Sequence, residues 1–163
     1  MKILSVNAGS SSLKFQLYEM PEEKVLISGL MERIGVGNSF YTIKVNGEKI
    51  KKEVELNNHE EAFETLVKEL EENNVVESLD EIEGIGHRVV QGGDYFDKTV
   101  VIDDEVLAKI DELSSLAPLH NPAAVTGIKA AKDVFPNAVQ TAVFDTAFHQ
   151  TMPKENFLYA LPI

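Results

Sequence analysis

An apolar stretch, Ile3-Leu4-Ser5-Val6, runs straight into Asn7-Ala8-Gly9-Ser10-Ser11-Ser12 and leaves through Leu13 and Lys14. Beyond the small residues the pattern alternates. Leu13, Phe15 and Leu17 are apolar, while Lys14, Gln16 and Tyr18 between them carry polar groups. Period-two alternation marks a strand with one buried face, so the segment reads as two strands joined by a turn. Gly9 and the three serines leave the turn backbone open, so its N–H groups can point at an anion. The spacing excludes the P-loop, which needs G-x-x-x-x-G-K-[ST] leading into a helix. Here the turn leads into a strand.

The chain has 163 residues, 44% of them hydrophobic, and no obvious linker, which predicts one domain with a proper core. Its net charge of −12 opposes binding to phosphate backbones, so nucleic acid is not an expected partner. Cysteine is absent, which excludes disulfides and cysteine metal sites. No run reaches the ~20 apolar residues of a membrane span. The N-terminal apolar run is too short for a signal peptide and meets Asn7 at once. A soluble cytoplasmic protein is expected.

Residues 25–35 read as a third strand. Phe40 to Val45 and Lys49 to Leu56 flank Asn46-Gly47, a strong hairpin signal. Asn58 opens a helix, with Glu61 as capping-box partner. Phe63, Leu66, Val67 and Leu70 form the apolar stripe of that helix, and its Glu-rich remainder is expected in solvent. Gly84 to Val90 is a short buried strand ending in Gln91-Gly92-Gly93. Residues 104–116 read as a second amphipathic helix, with Val106, Leu107, Ile110 and Leu113 inward. A third begins at Asn121-Pro122, where Asn suits the cap and Pro the first helical position. Ala138 to Phe144 is a continuous apolar run, suited to a strand buried on both faces. This order predicts an α/β domain of ribonuclease-H-like topology. Its sheet is mixed, antiparallel at the N-terminal strands, with flanking helices.

Ligands of open α/β sheets bind beyond the carboxyl ends of the strands. Asn7 ends the first strand, Arg88 lies near the end of the Gly84–Val90 strand, and Asp145 directly follows Phe144. His120 sits just before the helix at Asn121, whose N-terminus offers orphan N–H groups to an anion. An amide, a guanidinium, an imidazole and a carboxylate could thus converge on one edge. That set suits phosphoryl transfer, which needs cations around the transferring group and an oxygen ligand for Mg²⁺. Each residue also has a plain structural role open to it. Asn7 and Asp145 suit turns, Arg88 suits a surface ion pair, and His120 suits a helix cap. His87 and His149 read as structural.

These residues lie in motifs that resemble the acetate kinases, within the acetate and butyrate kinase group. Val6-Asn7-Ala8-Gly9-Ser10-Ser11-Ser12-Leu13-Lys14 is similar to the family's first signature. Gly86-His87-Arg88-Val89-Val90-Gln91-Gly92-Gly93 is similar to the second. Pro118-Leu119-His120-Asn121-Pro122 and Phe144-Asp145-Thr146-Ala147-Phe148-His149-Gln150-Thr151 are further hallmarks. The resemblance implies the ribonuclease-H-like fold of actin-like ATPases and of acetate and sugar kinases. It implies reversible phosphoryl transfer from ATP to acetate, giving acetyl phosphate and ADP. By the same resemblance, Asn7 would help hold Mg²⁺, and Lys14 would lie near the ATP phosphates beside Ser10, Ser11 and Ser12. Arg88 would bind the acetate carboxylate or the transferring phosphoryl group, His120 would stabilise the transition state, and Asp145 would be the catalytic carboxylate. Val90 and Leu119 match apolar positions around the substrate methyl group.

The family chain continues well beyond residue 163. Residues 1–163 are therefore expected to be an N-terminal domain without the C-terminal nucleotide-binding half, and inactive alone. The family forms homodimers, an implication for the whole polypeptide. A propionate or butyrate kinase remains the alternative, as does a non-catalytic isolated domain. Ribonuclease-H-like nucleases place carboxylates on the same strand ends, but the first position here is Asn7 and the net charge is −12.

Overall fold

The computed structural model describes residues 1–89, 100–112 and 121–144. Five antiparallel strands come first: β1 Lys2–Ala8, β2 Ser12–Glu19, β3 Lys24–Glu32, β4 Phe40–Val45 and β5 Glu48–Glu53. Helix α1, His59–Glu72, follows, then a 3₁₀ turn at Leu79–Glu81 and β6 Ile82–Val89. Next come β7 Val100–Val101, α2 Asp104–Glu112, α3 Asn121–Val134 and β8 Val139–Phe144. The strands form one sheet in the order β5-β4-β3-β2-β1-β6-β8-β7. β1, β6 and β8 are parallel, and the pairs from β1 out to β5 are antiparallel. The mixed sheet and its antiparallel N-terminal half match the sequence reading.

All three described helices cover one face. Leu4 and Val6 of β1 and Leu13, Phe15 and Leu17 of β2 point there, against Phe63, Leu66 and Leu70 of α1 and Ala131 and Phe135 of α3. Farther along the sheet, Ile110 of α2 and Ala124, Val125 and Ile128 of α3 pack over Ala142 of β8. The other face carries Asn7, Lys14, Gln16, Ser28, Thr42 and Lys44, as the pairing register requires.

Several boundaries differ from the sequence reading. β3 stops at Glu32, because Arg33 (φ 60°) and Gly35 (φ 78°) leave the extended region. Ser39 Oγ donates to the Arg33 carbonyl at 2.9 Å and fixes that exit. β5 ends at Glu53, and Leu56 is instead buried as a core residue of the connection to α1. Asn46 (φ 54°) and Gly47 (φ 78°) form the expected hairpin turn. Asn58 caps α1, accepting from Glu61 N at 2.8 Å. The reciprocal arm differs, because Glu61 Oε1 accepts from Asn57 N at 3.1 Å rather than from Asn58. α2 ends its described run at Glu112, and Leu113 lies outside the described residues.

The solvated Glu-rich face of α1 needs a correction at Glu69, which is 1% exposed. Its Oε1 accepts from the Tyr41 hydroxyl at 2.6 Å and from Lys52 Nζ at 2.8 Å, and its Oε2 accepts from Asn73 Nδ2 at 3.1 Å. Burial would push this carboxyl up, but the Lys52 and Tyr41 hydrogen bonds outweigh it and hold it below the usual range. A stripe argument from helical period alone misses this, because the partners come from β4 and β5.

Candidate functional site

The register of β1 with its two neighbours builds the candidate site. Asn7 pairs directly with Lys14 across the antiparallel β1–β2 ladder. On the other side Val6 pairs with His87 in the parallel β1–β6 ladder, so Asn7 and Arg88 are the next residues along. Lys14, Asn7 and Arg88 therefore form one row across three adjacent strands, on the sheet face away from the described helices. The row lies at the carboxyl ends of β1 and β6, where the topology reverses from antiparallel to parallel. Lys14 is exposed, while Asn7 and Arg88 are half-buried.

The turn between β1 and β2 closes on itself, with Gly9 N donating to the Ser12 carbonyl at 3.0 Å. A Cβ at position 9 would lie 2.5 Å from Ser12 Oγ, so a side chain there would turn the Ser12 hydroxyl away. The Ser11 carbonyl accepts from Ile34 N at 2.9 Å. Among the described residues, no hydrogen bond takes the N–H of Ser10 or Ser11. The turn thus keeps open donors beside Asn7 and Lys14.

His59, the first residue of α1, reaches this turn from the helical side. Its Nε2 lies 2.8 Å from the Gly9 carbonyl oxygen and 3.1 Å from that of Ser12. Carbonyl oxygens only accept, so Nε2 carries the proton. The sequence reading passed over this residue. The signal was present: His59, Phe63, Leu66 and Leu70 share one helical stripe, so the imidazole had to face the core side of α1.

His87 is buried, as its structural reading required, and its Nε2 lies 2.7 Å from Gln140 Oε1. Burial pushes its imidazole down to about 4, against a smaller opposing effect of Gln140. It points to the helical face and away from the Lys14–Asn7–Arg88 row. His120, Asp145, Val90, Leu119 and His149 lie outside the described residues. β8 ends at Phe144, opposite Val89, at the same edge of the sheet. α3 must return the chain to the start of β8, which puts its N-terminal end at that edge too. Gly127 of α3 passes so close to Ala8 that a Cβ would approach the Ala8 Cβ to 3.0 Å.

Among the described residues, cavities open on the antiparallel half. One of about 370 Å³ is lined by Lys14, Gln16, Ser28, Thr42, Lys44 and Lys49 and extends the row away from β1. A larger one, about 590 Å³, lies among Ser39, Phe40, Lys51 and Leu56 around β4 and β5, beyond β3 from the turn. Volume alone therefore does not single out the row at the strand ends.

The family model described as the acetokinase family matches residues 2–163. The chain belongs to the acetokinase family. Among acetokinase relatives, the acetate kinase of Bacillus mycoides (strain KBAB4) is 62% identical over 161 residues, covering 99% of this chain and 41% of the relative. That of Macrococcus caseolyticus (strain JCSC5402) is 54% identical, with 99% and 40% covered. The solved acetate kinase of Porphyromonas gingivalis superposes with a TM-score of 0.86 at 43% identity, covering 99% of this chain and 41% of the other. A propionate kinase from Francisella tularensis subsp. tularensis SCHU S4 gives 0.82 at 45% identity, with 94% and 39% covered. The fold is the actin-like one of these kinases. The chain spans about two fifths of the length of the curated relatives it matches (41%).

Proposed function

We propose that the polypeptide carrying this chain is an acetate kinase, transferring the γ-phosphoryl group of ATP reversibly to acetate. The observation that carries the reading is the row Lys14–Asn7–Arg88 beside the open N–H groups of Ser10 and Ser11. A carboxylate oxygen of acetate attacks the γ-phosphorus. The bond from that phosphorus to the β–γ bridging oxygen breaks, ADP leaves, and acetyl phosphate is formed. Carboxylic acids titrate near the Glu reference of about 4.3, so the acceptor is already anionic at pH 7 and no base is needed. The barrier is repulsion between anions. Lys14 and the Ser10–Ser12 turn hold the phosphates, Arg88 steadies the acceptor or the moving phosphoryl group, and His120 stabilises the charge that develops. Donors of this kind contribute roughly 10²–10³ in rate each. Val90 and Leu119 surround the methyl group.

The donors fit a hard divalent cation. Asn7 offers an amide oxygen, a hard donor, in the row with Lys14 and Arg88. Such a site matches Mg²⁺ shared between one or two protein oxygens and substrate phosphates. Asn7 would hold it, with Asp145 assigned to the same task rather than to proton removal. When bound, the ion supplies positive charge to the phosphate oxygens. Residues 1–163 form the N-terminal domain in this reading. The remaining length seen in the relatives supplies the adenosine pocket, and the whole enzyme is a cytoplasmic homodimer. No described helix is long and apolar enough to cross a membrane.

The experiment is an acetyl phosphate assay with ATP, Mg²⁺ and acetate, run on the complete polypeptide and on residues 1–163. Turnover is expected from the first and not from the second. Asp145→Asn is expected to raise the Mg²⁺ concentration needed for half-maximal rate; lost activity with unchanged Mg²⁺ dependence would overturn its assignment. The similarity to a propionate kinase makes propionate the competing acceptor. One methylene is worth only ~1–3 kcal/mol, so kcat/KM for the two acids decides between them.

A further inference from the structure

A trans peptide unit points its C=O and the following N–H in opposite directions. Whatever holds the Gly9 carbonyl therefore also aims the Ser10 N–H. His59 Nε2 holds that carbonyl at 2.8 Å and the Ser12 carbonyl at 3.1 Å. It does so from α1, on the helical face, whereas Asn7 and Lys14 lie on the opposite face. The Ser10 N–H is thereby turned away from α1. α1 itself is fixed by Phe63, Leu66 and Leu70, each 0% exposed. One imidazole thus references the turn to the hydrophobic core across 50 residues of sequence. Without it, the Gly9–Ser10 peptide could turn about the Gly9 ψ and Ser10 φ bonds, because a residue with no Cβ leaves its ψ little restricted. Rotation would present a carbonyl oxygen to the anion in place of a donor.

We propose that His59 is a positioning residue for phosphate: by holding the Gly9 and Ser12 carbonyls it keeps the Ser10 N–H aimed at the polyphosphate of ATP. This rests on reading residues 9–12 as the phosphate turn. A buried imidazole also needs a partner for its own sake, so the test must separate aiming from packing. His59→Leu keeps apolar bulk and removes the donor. His59→Asn is too short to reach, and His59→Gln restores an N–H at nearly the same distance.

The measurement is the KM for ATP and for acetate, with the melting temperature, in the complete polypeptide. His59→Leu and His59→Asn are expected to raise the ATP KM about tenfold, the order set by one misdirected charge-assisted hydrogen bond, with the acetate KM changed less than about twofold. His59→Gln is expected to stay within about threefold of the parent. An unchanged ATP KM in His59→Asn overturns the inference. So does a His59→Gln protein that melts normally yet is as impaired as His59→Asn. Should His59→Leu not fold, the Asn and Gln pair decides alone. If the parent polypeptide makes no acetyl phosphate, the proposed function falls. Calorimetric binding of inorganic tripolyphosphate to the parent and to His59→Asn then still judges His59, and equal affinity overturns it.

Discussion

Glu69 places a carboxylate where the solvent contributes almost nothing, at 1% exposure. Its charge is held by Lys52, Tyr41 and Asn73, so its worth lies in being fully partnered. Removing the carboxylate strands the Tyr41 hydroxyl, whose own ionisation is pushed up by burial and by Glu69. Glu69→Ala is expected to cost about 3 kcal/mol in urea unfolding at pH 7, and Tyr41→Phe about 1 kcal/mol. Lys52 is 42% exposed at its side chain, but Lys52→Ala takes the cation from a buried carboxylate and is expected to cost about 1–3 kcal/mol. A Glu69→Ala protein as stable as the parent would show the network to be decoration. Because the Glu69 carboxyl is held below 4.5, its stabilisation is complete above that pH and is lost as the pH falls below it.

At the scale of elements, α1 links packing to the candidate site. Its N-terminus is anchored by the Asn58 cap and by Glu61 bonding back to Asn57, and His59 follows at once. Asn58→Ala is expected to lower stability by about 1 kcal/mol, measured by thermal or urea unfolding, with Asn58→Ser near the parent. The β2–β3 ladder has an equally local requirement. A Cβ on Gly29 would lie 2.5 Å from the Phe15 ring, which is itself 1% exposed. Gly29→Ala is therefore expected to cost about 1–3 kcal/mol by overpacking. The hairpin at Asn46-Gly47, the α1 cap and the α1 stripe were legible in the sequence because each depends on neighbours within a few residues. The end of β3 was not, because it depends on Ser39 bonding back to Arg33 and Leu56 across the loop.

Over the whole molecule, acid is the sharpest probe. His87 is neutral when folded, and burial lowers its imidazole to about 4 from 6.5. The unfolded chain binds that proton first, so its contribution is complete above pH 6.5 and is lost as the pH falls to about 4. The loss approaches about 1.4 kcal/mol per pH unit across that window. His87→Gln is expected to flatten the stability profile there; an unchanged slope would place the titration elsewhere. An outer strand of the sheet fits the same global logic. β5, at one edge of the sheet, carries Lys49, Lys51 and Lys52, whose charges disfavour pairing with another strand.

The sequence by itself determined the strand–turn–strand opening and, β7 apart, the order of helices and strands, because these follow from local period and residue type, while the kinase motifs were legible as a family resemblance. It also named Asn7, Lys14 and Arg88. Only the tertiary structure set them in one row, since that depends on register across three strands drawn from distant segments. The same holds for His59 against the serine turn and for Glu69 under β4 and β5. A contact between residues far apart in the chain leaves no periodic trace in sequence, because the force that makes it acts through space.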